Sequence, residues 1–302
     1  EMWQLWNQLG ALVVNILMDP PFHMDLCPYL ESPAMEQYLL LCPDGNHVDY
    51  VKRYYPQVKH VEFMPHGGTP VEKMPIPWKE KRLDLLFSGT YTRPEGFLDV
   101  MRQTMEPEDF RLYTGLGERI LQEPHLSVDQ VVAETLFPGN RPLTPGRVQK
   151  AVTGMSLLDG WVRMVRRERV VTALVAGGVD LHVLGDGWQN CPCADSPHLH
   201  TLSRERIPLG DTLAWMENAR TCLNVMPWFK AGSHDRVFNA MLRASVALTD
   251  PSSFFQKYFR DRESIVYYSL EELEKLPEIV RGLMAHPDQA EAITRSGYEK
   301  AA

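Results

Sequence analysis

Short apolar, often β-branched runs alternate along most of this chain with amphipathic stretches at helical spacing. Such alternation marks βαβ units, in which parallel strands are buried on both faces by their crossover helices. Two series can be separated. The first comprises the runs at 11–17, 37–41 and 58–64, with a helix expected over 46–55. It closes on PHGG at 65–68 and a proline-rich stretch through Pro75 and Pro77 that reads as a linker. The second series starts at 83–87 and resumes at 181–184, 199–202, 221–225, 245–248 and 264–268. The mainly helical region between them is too long for one crossover helix and reads as an elaboration of the second domain. The tail from Leu270 is helical, charged on one face, and is expected to pack back across the linker. The pattern therefore predicts a Rossmann-like domain over 1–78 and a second one over 79–285 with a helical insertion at about 95–176. A C-terminal helix follows at 286–302.

A length of 302 residues suits two domains, and 44% hydrophobic with 23% charged residues excludes disordered and fibrous classes. The net charge of −8 argues against a general nucleic-acid binder. Arg163, Arg166, Arg167 and Arg169 form a local basic cluster, read as a solvated helix face in preference to a contact with an acidic membrane. No apolar run approaches the ~20 residues that span a bilayer. Cys27, Cys42, Cys191, Cys193 and Cys222, odd in number and scattered, fit a reducing compartment, and the cytoplasm is the expected location. The sequence opens on Glu1 without a signal-like segment, and about 75 residues are few for a whole Rossmann domain, so the first domain is expected to be incomplete at its N-terminus.

Residues 232–250 read as a polar loop, a short helix and a buried strand in succession. Ser233 or Asp235 is expected to cap the helix, while Val237, Phe238, Met241 and Leu242 give it an apolar face. Unpaired N–H groups at such a helix start favour an anion, and His234 and Arg236 beside it would add charge-assisted hydrogen bonds to a phosphate. The same pattern also fits an ordinary capped surface helix. Two further loops follow strands of the same series: Ser88, Gly89 and Thr90 with Arg93, and Gly185, Asp186 and Gly187 before Trp188. Three strand-end loops rich in glycine, hydroxyl and arginine are what a diphosphate site requires.

The ordered set DLLFSGT (84–90), LHVLGDGW (181–188), LNV (223–225), HDRVFNAM (234–241) and ALTD (247–250) resembles the spore-maturation-protein-like glycosyltransferases. These are relatives of glycosyltransferase families one and four with the GT-B architecture. In the first series, DPPFH (19–23), DGNH (44–47) and PHGG (65–68) look like motifs of one bacterial branch of that group. The resemblance implies two facing Rossmann-like domains, a nucleotide-sugar donor on the second and an acceptor approaching from the first. It implies no bound metal or other cofactor, because a helix start and basic side chains offset the diphosphate charge. Carried over, the diphosphate role falls to Ser88, Gly89, Thr90, Arg93, Ser233, His234 and Arg236, and nucleoside contacts to Gly185, Asp186, Gly187 and Asn239. One departure stands out. Family-four enzymes usually carry a glutamate, seven intervening residues and then a second glutamate on the helix, the latter gripping the ribose hydroxyls; here Asn239 holds that second position and Ala231 stands eight residues earlier.

For a general base the acceptor side offers Asp19 and His23, just past the first strand, and His66 at the end of the domain's last strand. Asp19-Pro20-Pro21 is equally a turn signal. Cys191, Cys193, His198 and His200 have zinc-ligand chemistry, but their spacing is unlike known sites, and they read as a loop leading into a strand with Leu199 facing the core. Trp188 and Trp228 read as core aromatics or as stacking partners for a base or sugar. The resulting expectation is a metal-independent enzyme that moves a hexosyl group from a nucleoside diphosphate sugar, with UDP as the expected nucleotide, to a carbohydrate or other hydroxyl acceptor. It would have no nucleic-acid partner and no transmembrane segment. A non-catalytic nucleotide-sugar-binding protein and a nucleotide-sugar epimerase of the same architecture are the rival readings.

Overall fold

A computed structural model describes residues 5–6, 8–22, 37–71, 73–136, 145–153, 155–226 and 228–302. In chain order the first elements are β1 (Val13–Ile16), β2 (Tyr38–Cys42), α1 (Gly45–Tyr54), β3 (His60–Phe63), β4 (Leu83–Ser88) and α2 (Pro94–Thr104). Four helices follow, α3 (Pro107–Gln122), α4 (Val128–Leu136), α5 (Pro145–Thr153) and α6 (Ser156–Ala176). Then come β5 (Leu181–Leu184), β6 (Leu199–Ser203), α7 (Leu209–Glu217), β7 (Ala219–Asn224), α8 (Asp235–Met241) and β8 (Val246–Thr249). The chain finishes with α9 (Ser253–Tyr258), β9 (Val266–Tyr267), α10 (Leu276–Ala285) and α11 (Pro287–Ala301). Every strand lies inside or within two residues of an apolar run in the sequence, because a strand buried on both faces is written as such a run. Contacts divide the chain into two units: residues 1–66, 100–159 and 228–233 in the first, and 67–99, 160–227 and 234–302 in the second.

The first unit carries a parallel sheet in the order β1-β2-β3. Tyr38, Leu40 and Cys42 point into its core at period two. Helix α1 starts at Asp44, whose carboxylate accepts from Asn46 N at 2.7 Å, and buries Val48, Tyr50, Val51 and Tyr54 on one face. The opposite face of β1 is open: Leu12, Val14, Ile16 and Met18 are all exposed at alternate positions. Helices α3 to α5 belong to this unit, whereas the sequence pattern assigns 95–176 as a whole to the second domain. Amphipathic spacing shows that Leu116, Ile120, Val131 and Val132 are buried but not against what. In the structure α5 lies against α1, and Arg53 on α1 pairs with Asp129 on α4 at 3.5 Å.

The second unit is a six-stranded, all-parallel sheet ordered β6-β5-β4-β7-β8-β9. The chain enters at β4, winds outward to β6, then returns beside β4 and winds the other way. Strand order therefore reverses between β4 and β7, and doubly wound sheets bind ligands outside the carboxyl ends at such a point. Leu85, Phe87, Leu181, Val183, Leu223 and Leu248 fill the core with Val170, Val171 and Leu174 from α6. The C-terminal tail does pack across the linker: α11 lies on the single turn Trp78–Glu80, and Lys79 Nζ reaches Asp288 at 2.7 Å and Glu291 at 3.4 Å. Among the described residues, no helix is long and apolar enough to cross a membrane.

Candidate functional site

The second unit has an open cavity of about 650 Å³, counted out to solvent at its mouth, at the carboxyl ends of β4 and β5. Ser88, Gly89 and Thr90 form one wall, Leu184 and Gly185 a second, and Asp235, Arg236 and Asn239 of α8 a third. Arg206, Ile207, Leu209, Thr212, Leu213 and Met216 close the remaining side.

Backbone contacts hold the first two walls together. Gly89 N donates to Leu184 O and Tyr91 N to Asp186 O, each at 2.8 Å. Trp188, fully buried, donates from Nε1 to Gly89 O at 2.8 Å and stacks on Tyr91 with ring centroids 5.2 Å apart. Gly185 has φ 135° and Gly187 φ 90°, and a Cβ on Gly187 would lie 1.9 Å from Tyr91 O. The Gly-Asp-Gly spacing thus serves loop-to-loop approach, and Trp188 is a core residue. Arg167 caps the arrangement, donating to Thr90 O at 2.6 Å with its guanidinium over the Phe87 ring.

Arg236 enters the cavity from α8. Its Nη1 donates to Asn224 Oδ1 at 2.6 Å, and its guanidinium stands 5.4 Å from the Phe87 ring centroid. Asn224 in turn donates from Nδ2 to Thr249 Oγ1 at 2.9 Å, which fixes the amide. Burial pulls the Arg236 pKa below its usual value, with the Asp235 carboxylate opposing. An arginine stays cationic even so. A partly desolvated cation on a hydrogen-bonded base is what binds an anion strongly.

Six of the sequence-designated residues meet at this cavity: Ser88, Gly89, Thr90, Gly185, Arg236 and Asn239. The others do different work. Arg93 is exposed, donates from Nε to Asn190 O at 3.1 Å and is not part of the cavity wall. Asp186 and Gly187 support the loop through their backbone. The α8 cap is His234, whose φ of −119° and ψ of 134° suit it to that position, in place of the expected Ser233 or Asp235. Its Nδ1 lies 3.2 Å from Arg236 N and 2.7 Å from Asp235 Oδ1; one ring nitrogen cannot accept and donate at once, so the cap operates with the proton on Nε2. Ser233 belongs to the first unit, fully buried, and donates to His66 O at 3.1 Å. Asn239 spends its carbonyl oxygen on Thr69 N at 2.8 Å, which holds the 67–70 loop.

On the first unit, Asp19 is exposed and His23 lies outside the described residues. His66 is buried edge-on to Phe229 at 5.3 Å, and neither ring nitrogen has a hydrogen-bond partner. The arginine cluster is not a solvated face: Arg166 is buried on α6, and Arg167 serves the Thr90 loop. The four residues with zinc-ligand chemistry separate into two pairs. His198 Nδ1 and His200 Nε2 bond Asp180 Oδ1 at 3.0 and 3.1 Å, while Cys191 Sγ and Cys193 Sγ meet each other at 2.8 Å. The sequence reading missed Asp235 as a cavity carboxylate and Arg206 as a second cation. Arg206 follows β6 in a strand-end loop, so the rule that found Ser88 and Gly185 applies to it as well.

The α/β fold with its parallel sheets matches solved structures of GT-B glycosyltransferases. TarM superposes with a TM-score of 0.51 at 7% identity, covering 99% of this chain and 54% of that one. An alpha-glucosyltransferase solved with UDP and a 13-mer DNA containing an HMU base superposes at 0.50 and 10% identity, covering 99% and 71%. Sucrose-phosphate synthase from Thermosynechococcus elongatus aligns at 0.49 and 12%, covering 99% and 65%. The chain therefore spans less than two thirds of the length of TarM and of the synthase. Residues 166–302, which include α8 and all the strands from β5 onward, match the family described as Glycosyl transferase-like. No curated protein matches the sequence.

Proposed function

We propose that the chain is a glycosyltransferase that moves a hexosyl group from a nucleoside diphosphate sugar to a hydroxyl acceptor, as its resemblance to the spore-maturation-protein-like group implies. The observation that carries this reading is the cavity at the β4/β7 switch point, where Arg236 stands beside Ser88, Gly89 and Thr90. Arg236 neutralises charge on the leaving diphosphate, with Arg206 as a second, exposed cation, and the Ser88 and Thr90 hydroxyls donate to its oxygens. With two cations present the reaction needs no divalent metal. Ile207, Leu213 and Met216 supply an apolar wall for a base, and Asp235 accepts from hydroxyl groups of the donor, as the charged acceptor beside Asn239, whose carbonyl already takes the Thr69 N–H.

In the transfer, the acceptor oxygen bonds to the anomeric carbon while the bond from that carbon to the phosphate oxygen breaks. The nucleoside diphosphate leaves with the electron pair, and the acceptor proton passes to a base. His66 is the base we favour over Asp19 and His23. A buried ring with two unsatisfied nitrogens is costly unless something outside the protein completes its bonds.

The test is a titration of the chain with UDP, GDP and ADP, followed by product analysis with the matching nucleotide sugars and a panel of sugar acceptors, with and without EDTA. Binding with EDTA-resistant transfer is expected. Absence of nucleotide binding at millimolar concentration would reject the cavity assignment. Binding without turnover, or interconversion of donor sugars without an acceptor, would replace transfer by the binding-protein or the epimerase reading.

A further inference from the structure

Cys191 and Cys193 are unused by this chemistry, yet their sulfurs are in direct contact. Pro192 sits between them in a turn closed by Ala194 N donating to Cys191 O at 2.9 Å. A tight turn brings its first and third residues within the span a disulfide requires, and the two Sγ atoms stand 2.8 Å apart. The partners are unequal. Cys191 is 4% exposed and lies in the core with Tyr91 and Trp188, whereas Cys193 is only half-buried. The Cys191 thiol and the Thr172 hydroxyl both hydrogen-bond the Cys193 sulfur and bring its pKa down to about 7, while the same contact and burial push Cys191 up. One sulfur is an accessible nucleophile; the other waits behind it.

We propose that Cys191 and Cys193 form a reversible redox site that closes to a disulfide by exchange with a small or protein disulfide and acts through Trp188 on the Gly89–Tyr91 loop. In the first step the Cys193 thiolate attacks RSSR, a Cys193–SR bond forms and RS⁻ leaves. Cys191 then gives up its proton, attacks Cys193 Sγ and expels a second thiolate, so RSSR and two cysteine thiols become one internal disulfide and two RSH. A ring closed over three residues restrains little of the unfolded chain, so the bond is readily reduced again. The link to the cavity is short. Cys191 N donates to Trp188 O at 3.1 Å, and the Trp188 indole holds Gly89 O in the cavity wall.

The experiment is incubation of the intact chain with oxidised glutathione, followed by peptide mass analysis and tryptophan fluorescence. Expected are a loss of two hydrogens confined to the peptide holding Cys191 and Cys193, no glutathione adduct there, and an emission shift that reverses with dithiothreitol and is lost in Trp188→Phe. Cys191→Ser should instead trap glutathione on Cys193. Before oxidation, Cys193 should react with maleimide at pH 7 at least about tenfold faster than the buried Cys42 and Cys222, whose pKa values burial lifts to about 12 and about 11. Persistent free thiols, or a stable mixed disulfide in the unaltered chain, would overturn the site. Closure without an emission change would overturn its coupling to the loop. None of these readouts involves a nucleotide, so they stand or fall apart from the proposed activity.

Discussion

Arg236 on α8 donates to Asn224 at the end of β7 through a 2.6 Å hydrogen bond, so the cavity cation is aimed by a strand and not by its own helix. Asn224 is therefore a positioning residue. Replacing it with Ala leaves Arg236 present but unaimed, and a hydrogen bond to a charged group is worth about 1.5–3 kcal/mol. Nucleoside diphosphate affinity measured by calorimetry should fall roughly tenfold or more in Asn224→Ala and further in Arg236→Ala, while Asn224→Asp should hold the guanidinium and preserve more of the binding than Ala does.

Gly187 and Gly282 should respond oppositely to the same substitution. A Cβ at Gly187 collides with Tyr91 O at a positive φ, whereas one at Gly282, inside α10, meets nothing within 4 Å. Gly187→Ala is expected to lose about 2 kcal/mol or more, and Gly282→Ala to gain about 0.5–1 kcal/mol from helix propensity. Denaturant melts of the two variants check both signs.

Lys81 is buried with its ammonium donating to Glu217 O at 2.6 Å and Arg243 O at 2.8 Å, where α7 and α8 end. Burial lowers its pKa to about 8. Between that value and the usual 10.5, the unfolded chain binds the proton more tightly, so folding stability rises with pH across this window. Measured against Lys81→Met, the unaltered chain should gain on the order of 3 kcal/mol from pH 7 to pH 10.5. At pH 7 itself Lys81→Met should still be the less stable protein, because the two helix-end carbonyls lose their donor.

Asp44 gives the opposite slope. Burial raises its pKa to about 6 from 3.8, against hydrogen bonds from Asn46 and from Ala231 N at 2.7 Å. The folded chain then holds the proton more tightly, and the contribution to stability is present below pH 3.8 and lost as pH rises through 6. Relative to Asp44→Asn, stability should grow by roughly 2 kcal/mol as pH falls from 7 to 4, read from urea midpoints.

How much of this was legible depends on whether the information is local. The parallel strands were, since Leu83–Ser88 and Val246–Thr249 are short apolar runs between turn residues, and so was α1 behind Asp44. Ser88, Gly89, Thr90, Gly185 and Arg236 followed from their places at strand ends or at the start of α8. What failed was partner choice. Arg167 and Arg93 look alike as exposed cations, yet one supports the loop from behind and the other bonds Asn190 O outside the cavity wall. His234 became the cap through backbone angles that no composition rule encodes, and α3 to α5 joined the first unit through contacts with α1 far away in sequence.

The outward row of Leu12, Val14, Ile16 and Met18 bears on how the protein behaves in a tube. Among the described residues β1 is an edge strand of its sheet, and an edge with an apolar row beside it is a template for another chain. At low ionic strength the −8 charge keeps neighbouring molecules apart. Salt shortens that repulsion to about 10 Å at 0.1 M and leaves apolar attraction untouched. Light scattering should therefore rise as salt is added, and a charge placed at Val14 or Ile16 should abolish the rise, so that two positions on one strand govern the colloidal stability of the whole chain.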